Sequence, residues 1–250
     1  MARLATLAYG VACYAFFLVT FLYAIGFVGN LIVPKSIDSG ATAPLAESLL
    51  VNILLLGMFA VQHTVMARPA FKRAWTRFVP KPIERSTFVL FASAVLALLF
   101  WQWRPLPAAV WTVTDPLWST TLWALFAAGW ATVLVATFLI NHFELFGLTQ
   151  TWAFFNRKEA KPPEFATPFF YKQVRHPIYL GFIIAFWATP MMSVGHLLFA
   201  IATTGYIFVG IFFEERDLIA HFGDRYRKYQ QEVGMLMPKL RFGGERRKQA

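Results

Sequence analysis

The sequence predicts an all-α, polytopic membrane bundle of five to six transmembrane helices with a C-terminal helical hairpin and a cytoplasmic C-terminal helix. Three observations predict it. Only 14% of the 250 residues are charged and 58% are hydrophobic, against about 25% charged in ordinary soluble domains, so the chain cannot cover a water-soluble globule with polar surface. The apolar residues gather into stretches of about 20 residues or more, the length that crosses a hydrocarbon core as a helix. Lys and Arg collect in alternate loops, as they do in chains oriented by positive charge on the cytoplasmic side.

The elements follow in order. Leu4 to Val33 contains no charged residue. It exceeds a signal-peptide core and no small-residue cleavage site follows it, so it reads as a retained first helix. Leu45 to Ala67, Thr87 to Trp103 and Leu117 to Ile140 are the second, third and fourth apolar runs. Ile178 to Phe213 is too long for one crossing, and Pro190, Ser193 and Gly195 interrupt it, which predicts two short helices in a tight hairpin. A last pair that dips in without fully spanning is the rival.

Charge orients these elements. Arg3 precedes the first helix and Lys35 stands alone in the first loop. The second loop carries Arg68, Lys72, Arg73, Arg77, Lys81 and Arg85, the third only Arg104, and the fourth Arg157, Lys158, Lys161, Lys172 and Arg175. The hairpin turn has none and the tail is rich in both. Six crossings put both termini on the cytoplasmic side. Five would leave the basic tail with the poor loops. The net charge of +10 is accounted for by this bias and by attraction to anionic lipid, so no nucleic-acid partner is implied. The single cysteine, Cys13, lies within the first run, which excludes a disulfide framework or thiolate metal cluster. The chain reads as one membrane domain, residues 1–250. Four helices occupy 4–140, a ligand-binding C-terminal segment 171–238 and a basic tail 239–250.

Polar groups within spans are costly and mark functional sites by default, and here they gather at one end. Gln62 and His63 lie near the inner end of the second helix, with Asn52 three turns back on the same face. The fourth helix ends in Asn141, His142 and Glu144, the fifth begins at Arg175-His176-Pro177, and the sixth ends in Glu214 and Glu215. Each has an ordinary reading too. A lone His at a helix end is an interfacial anchor, Pro177 is good first-turn chemistry, Gly181 allows close helix packing, and a Glu pair is a solvated exit. Two carboxylates at a helix C-terminus sit unfavourably in its dipole and call for a cationic partner. Arg-His at a helix start receives an anion, Glu-Glu receives an ammonium, and Gly181 admits a flat group. Together they suit a zwitterion carrying a ring, which is the character of S-adenosylmethionine.

The order of these residues also carries a resemblance. Arg175-His176-Pro177-x-Tyr179-x-Gly181, followed by Glu214-Glu215, Phe222-Gly223, Tyr226, Tyr229 and Pro238, resembles the C-terminal signature of membrane methyltransferases of the isoprenylcysteine carboxyl methyltransferase type. That segment binds S-adenosylmethionine in the family, which implies cofactor contacts at His176, Tyr179, Gly181, Glu214 and Glu215; Arg175 opens the same motif. Related phospholipid methyltransferases carry Gly-x-Gly at the helix start, where Tyr179 takes the first place here. The stretches from Gln62 to Pro105 and from Asn141 to Trp152 are similar to a nurim-related bacterial branch. The resemblance implies methyl transfer to a small apolar thiol, methanethiol, giving dimethyl sulfide at a bacterial inner membrane. Methylation of a prenyl-cysteine or lipid and a non-enzymatic nurim-like role are the alternatives.

A sulfonium methyl is already activated, so the protein's task is alignment and exclusion of water. A thiol attacks as thiolate, which makes a base useful. His142 is the first choice, with Glu144 to orient it, and His63 is the alternative. Positions 142 and 144 face different sides of an ideal helix, so that pairing requires the helix to unwind, and Gly147 supplies an ending nearby. A metal set of His63, His142 and Glu144 has no supporting spacing within one helix. The oligomeric state leaves no mark in the sequence.

Overall fold

A computed structural model describes residues 1–160 and 165–239. Of the basic tail expected over 239–250 only Lys239 falls within them, and Lys161 falls outside. Among the described residues ten α-helices, two short strands and a 3-10 turn follow in chain order: α1 (Ala2–Gly29), α2 (Leu45–Ala67), α3 (Pro69–Trp75), α4 (Lys81–Gln102), β1 (Ala109–Thr112), α5 (Pro116–Ile140), α6 (His142–Leu145), α7 (Leu148–Phe155), the 3-10 turn (Phe169–Lys172), α8 (Pro177–Trp187), β2 (Met191–Ser193), α9 (Val194–Phe222) and α10 (Asp224–Glu232). Of these, α1, α2, α4, α5 and α9 are long and apolar enough to cross a membrane.

Local chemistry sets the ends. Asn30 closes α1 in the left-handed region at φ 54°, which Asn tolerates. Pro69 forces Arg68 into an extended conformation and ends α2. Asp115 caps α5, accepting from the amides of Leu117 and Trp118 at 3.0 and 3.1 Å. Ser193 caps α9 through the amide of His196.

The C-terminal pair corrects one expectation. It is not two short helices: α8 has 11 residues and α9 has 29. At 1.5 Å per residue α8 rises only about 16 Å, half a hydrocarbon core. Residues 188–190 leave the helix through a tight turn, in which Thr189 N donates to Trp187 O at 3.0 Å, and 191–193 form β2, with much of this polar backbone paired. Val113 N donates to Pro190 O at 2.7 Å, β1 pairs antiparallel with β2, and the Trp111 indole donates to Thr189 O. His196, fully buried, turns Nε2 to the Phe186 carbonyl at 2.9 Å, covering one of the free acceptors at the end of α8. Irregular backbone at this depth is tolerated only where it is paired within protein.

Alternation of direction divides the bundle into two ends. One holds the end of α1, the starts of α2, α5 and α9 and the β1–β2 pair. It is packed by Phe27, Leu99, Phe100, Trp103, Phe126, Phe186 and Phe199. Asn52 belongs here, tying α2 to the backbone of Arg104 at 2.7 and 2.8 Å. The opposite end holds the start of α1, the end of α2, and α3, α6, α7 and α10. A second cluster of Met66, Phe88, Val89, Phe71, Trp75 and Phe146 packs it, and Tyr226, Tyr229 and Val233 pack α10 beneath α9.

Candidate functional site

The site is built where the chain enters α8. Before that helix the backbone runs beside the residues after α10: Val174 bridges Gly234, Arg175 N donates to Gly234 O at 2.8 Å, and His176 N to Met235 O at 3.2 Å. This fixes Arg175 and His176 against the C-terminal part of α9. Arg175 Nε donates to Glu215 Oε1 at 2.7 Å, and its side chain and that of Glu215 are 8% and 13% exposed. The same guanidinium reaches the carbonyls of Gln230 and Val233. His176 Nε2 lies 3.0 Å from Glu215 Oε1, and the Gln230 amide donates to Oε2 at 2.8 Å. Burial pushes the Tyr226 phenol up from its ordinary pKa, so it remains a donor, 3.4 Å from the same carboxylate.

The two acidic residues therefore differ. Glu215 is saturated by neighbours and is the hub joining α8, α9 and α10. Glu214 is 42% exposed and its Oε2 is 3.7 Å from His176 Nδ1, outside hydrogen-bond range. That Oε2 is buried and has no partner among the described residues. Tyr179, one turn into α8, stacks obliquely on His176 at 5.5 Å and faces Glu214. The expectation that the Glu pair closes its helix is corrected, because α9 runs on to Phe222 and the pair is internal.

Gly181 points elsewhere. A Cβ there would meet Gly129 O at 2.7 Å and Val133 N at 2.9 Å; the glycine lets α8 lie against α5, which is the packing reading of that residue.

On the far side of Tyr179 the site continues to residues the sequence marked only in part. Tyr206, in the middle of α9, receives a 3.4 Å hydrogen bond from Thr64 and meets His63 edge-on at 6.4 Å. His63 is held between Phe59 and Phe88, at 5.3 and 4.9 Å, and its buried Nδ1 has no partner among the described residues. The neighbouring Gln62 Oε1 is likewise unpartnered. Arg68 pairs with Asp217 at 3.0 Å and covers Phe213, joining α2 to α9 beside this space. The only sign of Tyr206 in the sequence was a hydroxyl in an apolar run.

His142 stands apart. The helix does unwind, at Asn141 (φ 110°) and Gly147 (φ 90°). The ring is buried and stacked on Phe138 at 4.1 Å; Nε2 is 2.8 Å from the Tyr14 hydroxyl and Nδ1 2.8 Å from the Thr137 hydroxyl. Glu144 turns to the Asn141 amide instead, at 2.6 Å. Among the described residues no three His, Cys, Asp or Glu side chains converge as a metal set.

Fold and site together define a polytopic, mostly helical membrane protein whose polar centre lies where α8 begins and α9 leaves its apolar course. The chain is 62% identical over 230 residues to methanethiol S-methyltransferase 1 of Bradyrhizobium diazoefficiens, covering 92% of this chain and 81% of the relative. It is 58% identical over 238 residues to methanethiol S-methyltransferase of Mycobacterium tuberculosis, covering 95% and 98%. The chain belongs to the methanethiol S-methyltransferase family. It is also 30% identical over 167 residues to nurim of Xenopus laevis, covering 63% and 58%. No protein-family model and no solved structure matches it.

Proposed function

We propose that this protein transfers a methyl group from S-adenosylmethionine to methanethiol, giving dimethyl sulfide, at a bacterial inner membrane with both termini in the cytoplasm. The observation that carries this reading is the unpartnered buried oxygen of Glu214 beside His176 and Tyr179, in a chain matching methanethiol S-methyltransferases along nearly its whole length. A buried acceptor left unpaired costs about 1–3 kcal/mol, and a cationic ligand relieves it. When bound there, S-adenosylmethionine supplies a methyl on a positively charged sulfur that needs no further activation.

The residues present fit that group. Glu214 offers a free carboxylate to positive charge, His176 a polar ring at a helix start, and Tyr179 an aromatic face. Arg175 and Glu215 hold these three in position. Tyr206 and the rings beside His63 close the other side with apolar surface, which keeps water from the reacting sulfur. The thiol must lose its proton, and His63 is favoured over His142. Nδ1 of His63 has no partner among the described residues and its ring meets Tyr206, whereas both nitrogens of His142 are engaged. The orientation rests on charge: Arg68, Lys72, Arg73 and Arg85 share the end of the bundle occupied by Arg3 and Arg175.

The test is direct. Detergent-purified protein given S-adenosylmethionine and methanethiol releases dimethyl sulfide into the headspace. A sample that yields none, while methylating a prenyl-cysteine, overturns the small-thiol reading.

A further inference from the structure

We propose that Arg85 is a catalytic residue that holds the substrate sulfur as thiolate, opposite Glu214. This rests on the reading above and extends it to the nucleophile.

Arg85 lies in the second turn of α4, near the end of α2, where Gln62 Oε1 and His63 Nδ1 have no partner among the described residues. The helix dipole does not explain it, since cations are favoured at C-termini. Its Nε donates to Leu145 O at 2.7 Å, and its guanidinium lies over Phe88 at 4.9 Å from the ring centroid. Among the described residues no carboxylate comes within 4.0 Å of it, although Arg68, Arg104 and Arg175 each have one. His63 lies on the same Phe88 ring, also at 4.9 Å. Arg85 and the His63 ring, whose Nδ1 has no partner among the described residues, therefore meet at Phe88.

The surrounding charges complete the case. Glu84 on the same helix, Glu144 on α6 and Glu214 on α9 face the guanidinium. Lys72 on α3 and His63 on α2 are the basic groups it acts upon, and Arg68 acts on both of them as well. Glu214 lies near Arg85 without touching it, and its Oε2, 3.7 Å from His176 Nδ1, has no hydrogen-bond partner among the described residues. A fixed cation and a fixed anion held apart in a low-dielectric bundle suit a pair of opposite charges bound between them. The thiolate belongs beside Arg85 and the sulfonium beside Glu214.

The balance is simple. The S–H bond of the thiol breaks and its proton goes to His63 Nδ1. The electron pair left on sulfur forms the new S–CH3 bond while the donor's C–S bond breaks, its pair staying on the donor sulfur as a neutral thioether. Charge on both sulfurs declines as the methyl passes. The gain from Arg85 therefore lies in making thiolate from a thiol that titrates above about 8.5, rather than in the displacement itself.

The experiment compares wild type, Arg85→Gln and Arg85→Lys. In Arg85→Gln, methyl transfer to methanethiol falls about a hundredfold near pH 7 and recovers at least tenfold near pH 9. Arg85→Lys keeps most of the rate at both. Calorimetry gives a readout apart from turnover. Ethanethiol binds protein saturated with S-adenosylhomocysteine about tenfold more weakly in Arg85→Gln at neutral pH, while S-adenosylhomocysteine affinity stays within about threefold. A loss equal at both pH values, or a matching loss of S-adenosylhomocysteine affinity, overturns the proposal and makes Arg85 a structural or cofactor residue. Wild type inactive on methanethiol but able to bind S-adenosylhomocysteine fails the functional reading instead.

Discussion

Gly129 on α5 and Gly181 on α8 meet backbone to backbone: a Cβ on either would stand 2.7 Å from the carbonyl oxygen of the other. This contact sets how closely the short helix α8 approaches α5, and hence where its first turn presents His176 and Tyr179. Small residues at membrane helix crossings allow such approach, and packing rather than the hydrophobic effect holds the pair. Gly181→Ala should therefore destabilise by about 1–3 kcal/mol, the range for forced overpacking, with Gly129→Ala similar and the double variant less than additive. Thermal unfolding in detergent measures this. Unchanged stability in both single variants would mean that the crossing is looser than described.

Arg175 and Glu215 form a mostly buried ion pair, and removing one partner leaves the other charge without compensation. Arg175→Gln or Glu215→Gln should cost about 3–5 kcal/mol, read as a lower unfolding midpoint and as proteolytic nicking near α10. The double variant should recover part of the loss. A single variant as stable as wild type would show that α10 is held mainly by Tyr226, Tyr229 and Val233.

Glu214, beside it on the helix, should behave differently. Its Oε2 has no hydrogen-bond partner among the described residues, so Glu214→Gln should leave the unfolding midpoint nearly unchanged. It should weaken S-adenosylmethionine binding at least tenfold, the scale of one charge-assisted contact. Isothermal titration separates the two acidic residues. Equal loss of affinity and stability in Glu214→Gln would merge their roles.

His63 should matter through its proton. His63→Asn should lower turnover of methanethiol about a hundredfold, within the range for a lost general base. An acidic thiol already ionised near neutral pH, such as trifluoroethanethiol, should lose far less. Equal losses for both thiols would reassign the ring to packing among Phe59, Phe88 and Tyr206.

Much of this was legible, and the exceptions have physical reasons. Leu45–Ala67 was bounded correctly because Pro44 and Pro69 punctuate it, and the α5 run because Asp115-Pro116 precedes it. The α4 run was expected from Thr87 but begins at Lys81, and α9 passes Phe213 to reach Phe222. Hydropathy marks where a helix is apolar, whereas Lys81, Glu84, Arg85, Glu214 and Arg216 are helix formers that continue it into a polar layer. The meeting of Arg175 and His176 with Glu215 followed from charged ends on consecutive apolar runs. The division between Glu214 and Glu215 did not, because neighbours on a helix point about 100° apart and only packing decides which turns inward. Arg85 counted merely toward topology, since a loop-side Arg carries no sign of what faces it. Asn52 was aligned with His63 by periodicity, yet its partner is the backbone of Arg104 at the opposite end, a contact no local pattern encodes.

His142 offers the clearest pH experiment. It lies beyond the end of α5, and burial lowers its pKa below the ordinary histidine value. The hydroxyls of Tyr14 and Thr137 at 2.8 Å satisfy both nitrogens of the neutral ring, one as donor and one as acceptor. The unfolded chain takes up this proton near about pH 6.5, the folded chain only at lower pH. Between those values the unfolded state binds more protons. The stability contributed by the neutral ring is therefore fully present above about pH 6.5 and is lost as pH falls toward the folded value. Unfolding midpoints taken from neutral to mildly acidic pH should fall in wild type and fall less steeply in His142→Gln, whose amide keeps a donor and an acceptor. Absolute stability of the variant is lower throughout because stacking on Phe138 is lost, so the slope is the quantity that decides. Parallel slopes would mean that the ring charges as easily in the folded protein as in the unfolded one.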